Sequence, residues 1–216
     1  MIESIENVIQ LFCTGISAVI ALYRSGASGN REWTFLGLFS CAFFLGDLYW
    51  VLYLVFYKET PYYTYIPDLS WVSSLLFLLL FLLHIRDEGQ KWSYSSALWI
   101  IPVVTLGFCV FYMTHGEYIS NAVYAVLMTL VIWQSVNGLI YISKKNDNAQ
   151  EPGKDPHSKR WVYIITLVFS ILEYAMWTVS CFWMGDTLLN PYYWLDILLS
   201  VCFLLYLPAA EKAVQR

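Results

Sequence analysis

The chain has 216 residues, is 59% hydrophobic and 19% aromatic, carries 13% charged residues and has a formal net charge of −4. A typical soluble domain has about 25% charged residues, so the composition excludes a soluble globular domain, and the slight acidic balance gives nothing for nucleic acid to bind. What remains is a membrane protein.

A helix needs about 20 mainly apolar residues to cross the hydrocarbon core. Seven such runs follow one another at 4–23, 33–57, 67–85, 93–113, 118–142, 161–184 and 191–209. The fold class read from them is all-α, a polytopic bundle of seven transmembrane helices forming a single domain over 1–216. The first run carries Glu3 and Glu6 where a signal peptide has basic residues, and it lacks an A-x-A cleavage pattern; it reads as a retained span. The second holds "FLGDLYW" (44–50), which sets Asp47 inside an apolar run and places Trp50 three residues on, sharing its helical face. "PYYTYIPD" (61–68) opens the third with Asp68, and Trp71 follows one turn later. The fifth span carries Gln134 and Asn137 one turn apart, a spacing suited to helix-packing hydrogen bonds.

The loop 143–160 is polar and rich in turn formers, and reads as a mobile cytoplasmic linker that a signalling partner could use for docking. The sixth span contains "ILEYAMW" with Glu173 and Trp177 four residues apart, and "PYYWLD" opens the seventh with Asp196. After the seventh span only "EKAVQR" follows, too short for an output domain.

Every lysine and arginine except Lys58 falls on one side of a seven-span topology. Short cytoplasmic loops accumulate positive charge, which predicts the N-terminus outside and the C-terminus in the cytoplasm. Glu3, Glu6, Glu59, Glu117 and Asp186 then fringe the outer face. The paired patterns around Asp47 and Glu173, and the two "PYY" openings, suggest a parallel 3+1+3 duplication. Its first repeat covers 1–85, a connector helix 93–113, and its second repeat 118–210; such repeats occur among transporters.

Asp47 lies 14 residues after Trp33 and Glu173 lies 12 after Trp161, so both sit about 18–21 Å above those tryptophans. Intramembrane carboxylates face a bundle interior and are functional-site hypotheses by default. Carboxylates beside tryptophan faces suit an organic cation. The candidate ligand-binding set is therefore Asp47, Trp50, Asp68, Trp71, Glu173, Trp177 and Asp196. The alternative for Asp47 is a structural interhelical hydrogen bond.

Cys13, Cys41, Cys109, Cys181 and Cys202 have neither metal nor disulfide spacing and read as small packing residues within spans. His84, His115 and His157 fall at span ends or in loops, so none is placed to ligate haem. The seventh span has no lysine for a retinal Schiff base, and there is no P-loop, H-E-x-x-H or G-x-S-x-G. No metal or cofactor is expected, and catalysis is left only to a carboxylate pair acting as acid and base.

"GDLYW" (46–50), "PDLSWVSSLLFLLLFLL" (67–83) and "LDILLSVCFLLYLPAA" (195–210) together resemble the seven-helix membrane sensor modules found ahead of bacterial diguanylate cyclases and histidine kinases. The resemblance covers three of the seven spans and carries over Asp47, Trp50, Asp68 and Asp196. It implies a sensor or receptor-like role in signal transduction at a bacterial inner membrane, exerted either through a partner protein or as a piece of a longer sensor chain. This chain departs from the modules in having Pro67 before Asp68, where they have Ala, and Trp71 after it, where they have Tyr. "SCAFFLGD" (40–47) is similar, more faintly, to a pattern of the membrane lysoplasmalogenases, which would make Asp47 and Glu173 an acid–base pair acting on a vinyl ether lipid. A small-solute transporter, drawn from the duplication, is the second expectation after the sensor, and the lipid hydrolase is the third.

Overall fold

The computed structural model describes residues 2–59, 64–87, 89–90, 95–116, 118–148, 156–183, 185 and 187–214. Pro61, Tyr62, Tyr63, Lys91, Glu117, Lys154, Asp186 and Arg216, and the side chains of Glu3, Lys145 and His157, lie outside the described residues. Seven α-helices follow in chain order: α1 (Ile2–Ser28), α2 (Arg31–Tyr57), α3 (Tyr65–Ile85), α4 (Ile100–Met113), α5 (Tyr118–Asn148), α6 (Arg160–Ser180) and α7 (Pro191–Val214). Short 3₁₀ turns, Ser96–Trp99 and Pro156–Lys159, lead into α4 and α6. Each of the seven, α4 together with its leading turn, is long and apolar enough to cross a membrane, and none of the described residues is in a strand. The chain is a multi-pass helical membrane protein.

Proline placement helps to set the helix starts. Pro191 is the first residue of α7, and Pro67 and Pro102 are third in α3 and α4, where the backbone N–H has no intrahelical partner to lose. Asn190 caps α7 by accepting the Tyr192 N–H at 3.0 Å. Two helices end on left-handed residues: Gly29 (φ 70°) donates its N–H to Ser25 O, and Lys58 (φ 61°) donates to Leu54 O. Among the described residues, only Pro208 lies deep inside a helix.

α1 packs on α2 and α7, α2 on α3, α3 on α5, α5 on α6, and α6 on α7. Six helices therefore form a ring in the order α1–α2–α3–α5–α6–α7, and α4 lies against the outside of α5. In that order α2 and α6 are three places apart, as are α3 and α7. The centre is filled by buried rings from three helices: Phe39 stacks on Phe203 at 4.9 Å, and Phe43 and Phe169 meet the same ring at 4.8 and 5.8 Å.

The distribution of polarity is that of a bundle in lipid. On α1, Ile5, Ile9, Phe12, Ile16 and Val19 are exposed, while Glu6, Gln10, Thr14 and Ser17 on the other face are buried. Ser17 donates to Phe203 O at 3.1 Å and lies 3.1 Å from the Ser40 hydroxyl, so these polar groups tie α1 to α7 and α2. α4 exposes Ile100, Val103, Leu106 and Val110.

Four expectations are revised. α5 continues to Asn148 and so takes the start of the 143–160 segment into a helix, while 149–155 lie outside the described residues. α6 stops at Ser180, which leaves Cys181 just beyond it. Glu6 is 2% exposed, inside the bundle rather than on an outer fringe. Gln134 is buried, yet its Nε2 makes no hydrogen bond.

Candidate functional site

The ends of all seven helices enclose a cavity of about 630 Å³. Its lining comes from the first turns of α1, α3, α5 and α7 and the last turns of α2, α4 and α6. These ends are remote from Arg24, Arg86, Lys144, Arg160 and Lys212, all of which lie at or near the opposite helix ends. Phe43, from the central ring cluster, also lines the cavity, so the aromatic core forms its floor.

Six of the seven residues expected at a site line it: Trp50, Asp68, Trp71, Glu173, Trp177 and Asp196. Asp47 does not. It is 1% exposed and lies behind Trp71, whose Nε1–H donates to Oδ1 at 3.3 Å, while the Thr14 hydroxyl donates to Oδ2 at 3.2 Å. Gly46 makes this approach geometrically feasible, because a Cβ there would lie 2.7 Å from Trp71 Nε1. The Gly-Asp pair thus works as one unit: the glycine admits the indole and the aspartate receives its proton donor.

Each remaining carboxyl has its own environment. Asp68, one turn into α3, accepts from the Thr64 hydroxyl at 2.9 Å. Asp196 accepts from Gln10 Nε2, and the Glu6 carboxyl stands within hydrogen-bonding contact of it. Glu6 also accepts from Asn7 Nδ2 at 2.8 Å. Glu173 Oε2 accepts from Tyr124 OH at 3.1 Å. Its Oε1 is buried and has no hydrogen bond of ordinary geometry, although the Trp177 indole lies close enough to interact with the carboxyl.

Aromatic rings stand beside these acids in two groups. Trp50 and Trp71 are 6.1 Å apart on the α2–α3 side, and Trp177 is 6.3 Å from Tyr112 and 6.1 Å from Tyr124 on the α4–α5–α6 side. Tyr112 ties α4 to α6 by donating to Tyr174 O at 2.9 Å, with the Thr178 hydroxyl 2.9 Å away. Among the described lining residues there is no lysine or arginine. Nor do the described residues contain a group of three or more His, Cys, Asp or Glu side chains that could hold a metal ion.

The sequence reading missed Glu6, Asn7, Gln10, Tyr112, His115 and Asn190, all of which line the cavity. The signal for α1 was present: Glu6, Gln10, Thr14 and Ser17 recur at i, i+4, i+8 and i+11, one face of a helix. Chemically, the cavity offers carboxyl oxygens, amide and hydroxyl groups, and ring faces, a set that attracts and surrounds positive charge. No family model, no curated protein and no solved structure matches this chain.

Proposed function

We propose that the protein is a sensor or receptor-like membrane protein that binds a small organic cation in this cavity and passes the event to a cytoplasmic partner. The observation that carries the reading is a cavity of about 630 Å³ lined by Glu6, Asp68, Glu173 and Asp196 together with tryptophan faces, with no lysine or arginine among its described lining residues. Pockets of this size suit small ligands, and ring quadrupoles add to the attraction of carboxylates for ammonium groups. The charge asymmetry of the loops supports an orientation with the cavity facing outward and the 143–160 segment in the cytoplasm. In a bacterial inner membrane, α6 and α7 then run from cavity to cytoplasm and are the route for a signal.

A transporter is the second reading. The ring order supports it, since helices paired by the suggested 3+1+3 duplication, α2 with α6 and α3 with α7, stand three places apart around the cavity. The lysoplasmalogenase-type reading draws less from the geometry, because Asp47 is turned into its bonds with Trp71 and Thr14 while Glu173 lines the cavity.

The test is thermal unfolding of the purified chain with primary and quaternary amines. Ligand at 100 times its Kd stabilises the folded state by about 2.7 kcal/mol, so a bound amine raises Tm in a saturable way. No shift with any amine rejects the reading. Amine uptake into proteoliposomes separates transport from sensing.

A further inference from the structure

We propose that the ammonium group of the ligand is seated on Glu173, and that this seat selects an N-methylated amine carrying one N–H, a tertiary ammonium, over a primary one. This rests on the organic-cation reading of the cavity and adds to it the anchoring carboxyl and the substitution of the nitrogen.

Glu173 lines the cavity although it is only 4% exposed. Its Oε2 accepts from the Tyr124 hydroxyl at 3.1 Å, and its Oε1 is buried with no hydrogen bond of ordinary geometry. The other acids of the lining are engaged: Asp68 accepts from Thr64 at 2.9 Å, Asp196 accepts from Gln10, and the Glu6 carboxyl stands in contact with Asp196. A buried acceptor without a donor costs free energy, so Glu173 has the most to gain from a donor that a ligand brings. The last torsion of a glutamate side chain is broad, and a turn about it offers Oε1 to the cavity.

Beside this carboxyl, four rings from three helices touch in a closed circuit. Trp177 lies 6.3 Å from Tyr112 and 6.1 Å from Tyr124, and Tyr174 lies 6.3 Å from Tyr112 and 5.9 Å from Tyr124. Trp177 and Tyr112 line the cavity. The Tyr112 hydroxyl is already bonded to Tyr174 O at 2.9 Å and the Tyr124 hydroxyl to Glu173, so these rings offer a ligand chiefly their faces.

A primary ammonium is strongly hydrated and carries three N–H donors. Seated on Glu173 it would give Oε1 one of them and turn the others from water toward ring carbon. A tertiary ammonium gives its single N–H to Oε1, and its N-methyl groups carry positive charge onto the faces of Trp177 and Tyr112. A quaternary ammonium suits the rings equally but leaves Oε1 without a donor.

The experiment titrates the full chain in detergent at neutral pH with N,N-dimethylbutylamine, butylamine and butyltrimethylammonium, read by calorimetry. The dimethyl amine is expected to bind about tenfold more tightly than butylamine, and more tightly than the trimethyl compound. Trp177→Leu should erase most of the preference over butylamine while Trp177→Phe retains it, and Glu173→Gln should weaken the dimethyl amine by about tenfold or more. Butylamine binding as tightly as the dimethyl amine overturns the inference and leaves the organic-cation reading standing, and so does a trimethyl compound that binds more tightly than either. Binding of none of the three overturns both. The wild-type ranking decides the matter even where a variant fails to fold.

Discussion

Trp71 donates its indole N–H to Asp47 at 3.3 Å across the α2–α3 contact, and it reaches that position only because residue 46 has no side chain. Gly46→Ala would put a methyl group 2.7 Å from Nε1. It is expected to lower stability by about 1–3 kcal/mol through overpacking. Trp71→Phe keeps the bulk and removes the donor, leaving Asp47 Oδ1 without a partner at a cost of about 1–3 kcal/mol. Thermal unfolding in detergent checks both, and an unchanged Tm for Trp71→Phe would show that the bond contributes nothing.

Gly138 on α5 is packed against Tyr163 of α6 so closely that a Cβ would lie 2.3 Å from the ring. Tyr163 is fully buried and has no room to retreat, so Gly138→Ala is expected to destabilise by about 1–3 kcal/mol. Gly107 in α4 has nothing within 4 Å of the same position, and Gly107→Ala should instead stabilise its helix by about 0.5–1 kcal/mol. Opposite signs of the two Tm shifts are the outcome to look for; the same sign in both would contradict the packing.

The Tyr112 hydroxyl is a polar tie between α4 and the ring, through Tyr174 O and Thr178. Tyr112→Phe should cost about 0.5–1.5 kcal/mol, the usual net worth of a hydrogen bond, since Thr178 still donates to Tyr174 O at 2.7 Å. A loss above that range would mean that α4 depends on this bond alone for its position.

Orientation is open to direct labelling. Lys58 and Lys212 are exposed at opposite ends of the bundle. With the five native cysteines replaced, Lys58→Cys should react with a membrane-impermeant maleimide on intact cells, and Lys212→Cys only after permeabilisation. The reverse pattern would invert the topology expected from the charge rule.

The spans were legible because lipid imposes a simple requirement of length and apolarity. Asp47, Asp68, Glu173 and Asp196 stood out because a carboxyl in an apolar run has few explanations. Glu6 was misread: next to a chain end an acid looks like a solvated fringe, and only the polar face that it shares with Gln10, Thr14 and Ser17 marks it as inward. Which carboxyl meets the cavity and which is enclosed was not legible at all. That distinction comes from Trp71 crossing over Gly46, a contact between residues 25 apart in sequence.

The contact of Gln10 with Asp196 joins residues 186 positions apart, and it closes the ring between the first helix and the last. A chain that is made at about 5–20 residues per second therefore releases α1 some 10–40 s before the helix that completes its polar face. Through that interval Glu6, Gln10 and Ser17 must find interim partners, whether water, lipid headgroups or the insertion machinery. The cavity cannot form until α7 has been made, and any stall before α7 yields a bundle with an open seam where its acids should meet.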